Sequence, residues 1–137
     1  MNYWLVKSEP CKYSWDQFVK DKRTYWDGVR NYQARNNLNA MKQSDAVLFY
    51  HSNEGLAVMG IARVAKEAYQ DPTTDDHRWV VVDLEPVEPL PQPVPLSEMK
   101  QDRRLQDIAL IRQGRLSVMP LTKTEFEVIV AKGRLET

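Results

Sequence analysis

The chain has 137 residues, of which 42% are hydrophobic and 28% charged, and its 19 basic and 19 acidic side chains give a formal net charge of zero. This length and composition are typical of one soluble globular domain, here residues 1–137, and no apolar run approaches the ~20 residues of a membrane span. The N-terminus lacks a secretory signal pattern, and Cys11 alone cannot form an internal disulfide or a cysteine-based zinc site, so we expect a cytoplasmic, intracellular protein.

The first half of the chain predicts alternating strands and helices. "YWLVK" predicts a strand at residues 3–7, and the capping-box pair Ser14 and Gln17 predicts a helix of about two turns. A second helix is expected over residues 33–42. "AVLFYHS" then predicts a strand, "NEG" a hairpin turn, and residues 56–69 a long partner strand with Gly60 at a bulge or a close approach.

In the second half, "DPTTDDH" predicts a polar loop and residues 78–90 another strand, whose prolines favour a sheet edge or an exit from the sheet. The proline-rich residues 89–99 predict an extended surface segment that ends in a short helix capped by Ser97, although a proline-rich signalling ligand is an alternative. "RQGRLSVMPLT" predicts a turn and a short strand. The last helix has Thr122 and Glu125 as its capping box and Gly133 just past its end. Strands in the centre and helices around them indicate an α+β fold with a curved sheet or small barrel.

Residues 24–38, "TYWDGVRNYQARNNL", are unusually rich in side chains that bind nucleic acids. The segment holds three aromatic residues, two arginines and three asparagines. It is less periodic than a core segment and more aromatic than a solvent loop. We interpret it as one wall of a site.

Metal and nucleophilic chemistry have little support in the sequence. His51 and His77 are far apart and have no ligand-type spacing, so no metal and no cofactor is expected. A hydrolase with Cys11, His51 and Asp27 as catalytic residues would require these three side chains to meet in the fold, and no motif indicates that they do. A glycine-rich phosphate-binding loop is also absent from the sequence.

Recognition of a single base explains the segment better. An extruded base needs an aromatic surface for stacking and polar groups for its edge, while arginines contact the flanking phosphates. Trp26 could stack on the base, Asn31 and Ser8 could contact its edge, and Arg30, Arg35 and Arg115 could contact the backbone. Each has a structural alternative: Trp26 in the core, Asn31 as a helix cap, Ser8 in a turn, and the arginines as solvated charges.

Six blocks of sequence together resemble the EVE domain, the family that includes thymocyte nuclear protein. The blocks are "YWLVKSEP", "WDGVRNYQARNNL", "FYHS", "VMGIARV", "DPT" and "RLSVMPLT", and the resemblance extends from about residue 2 to residue 132. It implies membership of the PUA-like superfamily, with a pseudobarrel of five or six mostly antiparallel strands and flanking helices.

The blocks are also similar to YTH domains, which bind N6-methyladenine in RNA within an aromatic cage. By position, this resemblance implies that Lys7 and Ser8 line the pocket, that Trp26 stacks on the base, that Asn31 lies near the edge-reading position and that Tyr69 is the one aromatic in the loop after the hairpin. The expected pocket residues are Lys7, Ser8, Trp26, Val29, Asn31, His51, Ser52, Tyr69 and Ser117. The expected phosphate contacts are Arg30, Arg35 and Arg115.

The C-terminal block adds a prediction about topology. If the last strand pairs near the first, residues 115–118 lie close to Lys7 and Ser8, with Arg115 and Ser117 on the pocket side and Leu116 and Val118 in the core. The alternative for Arg115 is an ion pair with Asp107.

The sequence therefore predicts a non-enzymatic module, a monomer, that binds a modified base in DNA or RNA. One alternative is an amidohydrolase of the ASCH type that acts on modified nucleosides, with Lys7 and Glu9 as its catalytic pair. The other is a protein-binding adaptor.

Overall fold

The computed structural model describes residues 1–134, and in this range it contains six strands, five α-helices and one 3-10 turn. In chain order they are β1 (Tyr3–Ser8), α1 (Trp15–Asp21), β2 (Thr24–Tyr25), α2 (Tyr32–Ala40), β3 (Ala46–His51), β4 (Ala57–Gln70), β5 (Val80–Pro95), α3 (Leu96–Lys100), the 3-10 turn (Arg103–Leu105), α4 (Ala109–Arg112), β6 (Val118–Leu121) and α5 (Lys123–Gly133).

The six strands form one sheet in the order β2-β5-β4-β3-β1-β6. Only β1 and β3 are parallel, so the expected mostly antiparallel α+β arrangement is confirmed. The sheet does not close into a barrel, since among the described residues the two-residue edge strand β2 pairs with β5 and not with β6 at the opposite edge. Helix α2 contacts the edge strand β6 and also β4 and β5, so it packs against strands from both halves of the sheet.

The predicted pairing of the two chain ends is confirmed. Strand β6 runs antiparallel to β1, with Val6 opposite Val118. One step beyond that pair, the Lys7 amide donates to the Ser117 carbonyl over 2.9 Å. Leu116 and Val118 are buried as expected, whereas Ser117 is half-buried and Arg115 is exposed.

An aromatic cluster fills the space between α1 and β3. Phe18 of α1 stacks on Phe49 of β3 with ring centroids 5.3 Å apart, and Trp15 packs edge-on against both rings. Gly60 was predicted at a bulge or a close approach and has both, since the β3–β4 register shifts beside it and a Cβ there would lie 2.4 Å from the Trp15 ring. The glycine therefore lets the indole lie directly on the strand backbone.

The helix caps agree with the sequence in most details. Ser14 accepts from the Gln17 amide over 3.1 Å, but the Gln17 side chain donates to Asp21, so this capping box is only half formed. Thr122 and Glu125 form both bonds of the second box. Helix α2 begins one residue before its predicted start and ends at Ala40.

The proline-rich segment differs from expectation. Residues 91–95 continue β5 instead of crossing the surface, and Pro95 lies opposite Ala57 of β4. Ser97 lies inside α3 and does not cap it, because the helix begins directly after Pro95 without a side-chain cap. Gly133 is the last residue of α5, not the residue past its end, and it lies against Leu90. The sequence did not predict β2, the 3-10 turn or α4.

Candidate functional site

A cavity of about 370 Å³ opens between the end of β1, the turn that follows it and the segment containing β2. Its volume lies in the range of small-molecule pockets, about 300–1,000 Å³. Apolar and polar side chains both contribute to the wall. The lining residues are Lys7, Ser8, Glu9, Lys12, Tyr13, Thr24, Tyr25, Trp26 and Asp27.

Trp26 is both a core residue and part of the cavity wall. Its amide donates to the Val82 carbonyl over 2.8 Å, which fixes the backbone beside β5. Its ring packs edge-on against Phe49 and Tyr13, with centroids 5.5 Å and 6.3 Å away. Trp26 is only 8% exposed, so these contacts hold the indole in place and a small part of the residue borders the cavity.

The turn after β1 shapes the opposite wall. The Ser8 hydroxyl donates to the Tyr13 carbonyl over 2.5 Å, and the Glu9 carbonyl accepts from the amides of Lys12 and Tyr13. Ser8 therefore has the structural role of a turn residue, and its oxygen keeps acceptor capacity. Burial and then the bond to Asp21 raise the pKa of Tyr13 to about 12, so this phenol is neutral at physiological pH.

Lys7 and Glu9 both line the cavity, but each has another partner. The Lys7 ammonium donates to the Gly114 carbonyl over 2.8 Å, and burial lowers its pKa. Glu9 forms an ion pair with Lys12 at 3.2 Å. Strand β1 ends at Ser8, so Glu9 does not continue the strand face that carries Lys7.

Six of the expected pocket residues lie outside this wall: Val29, Asn31, His51, Ser52, Tyr69 and Ser117. Asn31 caps α2, where its side-chain oxygen accepts from the Ala34 amide over 2.9 Å. The His51 ring accepts from the Trp15 amide over 3.0 Å, and burial lowers the pKa of His51 despite the opposing effect of Asp16. This neutral imidazole therefore anchors the start of α1.

The other residues of that group also make structural contacts. The Tyr69 hydroxyl donates to Asp83, and burial followed by this bond raises the pKa of Tyr69 to about 12. Ser52 donates its amide to the Ser8 carbonyl over 2.9 Å and borders a second cavity, of about 300 Å³, on the other side of Lys7. Val29 is buried in the core.

Sequence reasoning missed the role of Asp71, which belongs to the "DPT" block. Its buried carboxylate accepts from the Gly28 amide, the Arg30 guanidinium and both the amide and the hydroxyl of Thr73. Burial alone would raise the pKa of Asp71, but these bonds outweigh it and lower the pKa. Asp71 thus fixes the backbone that follows the cavity residues Trp26 and Asp27.

The three arginines expected at phosphate differ in their surroundings. Arg30 forms an ion pair with Asp71 at 3.0 Å, and Arg35 bonds the Asn36 side chain. Asp107 pairs with Arg112 at 3.4 Å, and no ion pair of Arg115 is found among residues 1–134.

Two absences concern only the part of the chain that the structure describes. Across residues 1–134, no three His, Cys, Asp or Glu side chains lie close enough together to hold a metal ion. None of the helices in that range has the length and apolar character needed to cross a membrane.

Comparisons with known proteins give a consistent picture. A family model described as "EVE domain" matches residues 2–132. The chain is 38% identical to mouse thymocyte nuclear protein 1, over 98% of this chain and 75% of that protein. A crystal structure of an Agrobacterium tumefaciens protein matches with a TM-score of 0.96 and 45% identity, over 98% of this chain and 94% of the other.

Two further solved structures contain nucleic acid. Human THYN1 protein, in complex with DNA containing 5-methylcytosine, matches with a TM-score of 0.91 and 33% identity, over the full length of both chains. A YTH domain from Zygosaccharomyces rouxii, in complex with N6-methyladenosine RNA, matches with a TM-score of 0.62 at 15% identity, over 99% of this chain and 86% of the other. The second likeness concerns the fold, and together they confirm the expected PUA-like α+β architecture.

Proposed function

The chain belongs to the EVE domain family, and on this basis we propose that it is a non-enzymatic module that binds a modified base of a nucleic acid in the cavity beside Trp26. The observation that carries the proposal is a cavity of about 370 Å³, within the range of small-molecule pockets, that has the closely packed Trp26 in its wall. The human THYN1 protein, 33% identical over the whole chain, binds DNA that contains 5-methylcytosine, which supports the same class of ligand here.

The wall chemistry suits a base that carries an exocyclic amine. Glu9 and Asp27 contribute carboxylate acceptors, and Ser8 and Thr24 contribute hydroxyl oxygens. Cytosine and adenine each present an amino donor on the edge that these groups can bind, whereas thymine presents a carbonyl there. Stacking on Trp26 would supply affinity, and these acceptors would select an amino base.

The observed contacts favour binding over catalysis. An amidohydrolase of the expected type would pair Lys7 with Glu9, yet Lys7 bonds Gly114 and Glu9 pairs with Lys12. Incubation with acylated and alkylated nucleosides, followed by mass spectrometry, tests this alternative. Turnover that Lys7→Ala abolishes would overturn the non-enzymatic proposal. The name of the curated relatives, thymocyte nuclear protein, supports an intracellular location.

Titration of two fluorescent oligonucleotides that differ only in one 5-methyl group on cytosine tests the proposed function. Trp26→Ala should weaken binding of the methylated strand by about 5- to 150-fold, the range that corresponds to 1–3 kcal/mol of stacking. Trp26→Phe keeps an apolar ring in the core and should lose less affinity for the methylated strand than Trp26→Ala. Trp15→Phe is the matched control for Trp26→Phe, because Trp15 is a similarly buried tryptophan outside the cavity. If a folded Trp26→Ala protein binds the methylated strand within twofold of the wild type, the proposal is wrong.

A further inference from the structure

A second aromatic group lies on the surface beyond the cavity wall. Tyr32, the first residue of α2, stacks on Trp79, which directly precedes β5. The ring centroids are 5.3 Å apart and the planes differ by 25°. Tyr32 is 51% exposed, so part of the stacked pair is accessible to solvent.

Three arginines surround this aromatic pair. The Arg35 guanidinium lies 4.9 Å from the Tyr32 ring centroid, and those of Arg30 and Arg78 lie 5.5 Å and 5.8 Å from the Trp79 centroid. Arg78 also donates to the Tyr32 hydroxyl over 3.1 Å. We call these five residues, Arg30, Tyr32, Arg35, Arg78 and Trp79, the Tyr32–Trp79 platform.

The charge of the platform is not fully compensated. Arg30 pairs with Asp71 and Arg78 with Asp76, whereas Arg35 forms no ion pair among the described residues. Its guanidinium donates instead to the Asn36 side chain and to the Arg78 carbonyl. Residues 28–44 contain three basic residues and no carboxylate, and five of their eleven exposed residues are amides.

The platform is continuous with the cavity wall. Arg30 is three residues from Asp27, a distance of at most about 10 Å along the chain. Gly28 and Arg30 both bond Asp71, and Arg30 lies over Trp79, so the same contacts hold the cavity wall and the platform together. A nucleic-acid strand that places one base beside Trp26 can therefore reach the platform with a nucleotide only a few positions away.

We propose that the Tyr32–Trp79 platform is a second contact surface for the nucleic-acid strand, where a nucleotide flanking the bound base stacks and Arg35 contacts a phosphate. This inference rests on the function proposed above. Exposed aromatic rings and guanidinium planes stack on any base, since every base has a π-face, and an arginine without a carboxylate partner is free to bind phosphate. The platform therefore contributes affinity but no selectivity for the modification.

The test uses the full chain and single-stranded DNA with one central 5-methylcytosine, its unmethylated counterpart, and versions with abasic sites at the flanking positions. Tyr32→Leu removes the ring, Arg35→Gln removes the charge, and Arg103→Gln is the control at an exposed arginine of the 3-10 turn. Tyr32→Leu should weaken binding of both intact strands about fivefold or more and leave the ratio of their two dissociation constants unchanged. It should have no effect on binding of a strand that lacks the contacted flanking base. Arg35→Gln should lower the salt slope of the logarithmic binding constant by roughly one.

The outcomes separate this inference from the proposed function. If Tyr32→Leu and Arg35→Gln bind both strands within twofold of the wild type while Trp26→Ala loses the preference for methylation, the platform inference is wrong and the function stands. If the wild type shows no preference for the methylated strand but the platform variants weaken both, the platform contact holds and the proposed function fails. Tyr32→Phe, which keeps the ring, should bind like the wild type, and a loss in that variant would contradict stacking. A change in the methylation ratio in any platform variant would also overturn the assignment.

Discussion

Arg30 and Asp71, 41 residues apart in sequence, form an ion pair in which Nη1 lies 3.0 Å from Oδ2 of a fully buried carboxylate. The same Oδ2 atom lies 3.3 Å from the Gly28 amide. Because Gly28 follows the cavity residues Trp26 and Asp27, one carboxylate positions the cavity wall and the base of the Tyr32–Trp79 platform together.

Replacing this carboxylate should destabilise the fold. Asp71→Ala leaves the Gly28 and Thr73 amides and the Arg30 guanidinium without their acceptor, and we expect the free energy of unfolding to fall by about 3 kcal/mol. Urea denaturation of both proteins measures the difference. Asp75→Ala, an exposed carboxylate in the same loop, should change stability by no more than about 0.5 kcal/mol. A loss below 1 kcal/mol for Asp71→Ala would contradict the structural role given to Asp71.

The contribution of Asp71 should depend on pH. Its pKa in the folded chain is lowered, because the hydrogen bonds outweigh the effect of burial. A carboxyl of this kind stabilises the fold above its unfolded pKa, about 3.9, and that stabilisation is lost as pH falls through the folded pKa. The difference in unfolding free energy between the wild type and Asp71→Asn should therefore be largest near pH 7 and shrink below about pH 4. An undiminished difference at pH 3 would show that the ionised form is not what matters.

Gly60 should not tolerate a side chain. A Cβ at this position would lie 2.4–2.7 Å from three atoms of the Trp15 ring, which is itself held against Phe18 and Phe49. We expect Gly60→Ala to cost about 1–3 kcal/mol in thermal or urea unfolding. Gly114→Ala, where nothing lies within 4 Å of the new carbon, is the matched control. The cost should shrink in a Trp15→Leu background, and purely additive effects would exclude this contact as the cause.

Arg115 is expected to bind a phosphate next to the base in the cavity. It is exposed beside Gly114, whose carbonyl accepts from Lys7 of the cavity wall. Arg115→Ala should weaken binding to every oligonucleotide equally and lower the salt slope by roughly one. Arg112→Ala serves as the control, because Arg112 pairs with Asp107 instead. A changed preference between methylated and unmethylated strands would mean that Arg115 contacts the base edge.

The features that sequence predicted best depend on neighbours along the chain. The caps of Ser14 and Thr122 need only residues up to three positions later, and the short apolar runs of residues 3–7 and 46–52 predicted β1 and β3. Asn31 shows the limit of this reasoning. Its position allowed both a cap and a base-edge contact, and the structure shows the cap.

The features that sequence missed depend on contacts between distant segments. Asp71 meets Gly28 and Arg30 across more than 40 residues, and Trp79 stacks on Tyr32 from 47 positions away. Spacing along the chain contains no signal for such pairs, and the sequence alone predicts a loop at Asp71 and a strand at Trp79. The prolines of β5 favoured an exit from the sheet, but the strand continues to Pro95. A proline is compatible with a strand where its missing N–H has no acceptor on a neighbouring strand.

Those prolines also determine what the free side of β5 can do. Pro89, Pro91, Pro93 and Pro95 remove four backbone N–H donors from the C-terminal part of β5. Strand β2 borders β5 only at Asp83 and Leu84, so this part of β5 has no second partner strand among the described residues. A strand from another molecule would meet carbonyl acceptors there but few matching donors. Because proline at a sheet edge disfavours pairing with another chain, we expect this edge to resist growth into intermolecular β-structure.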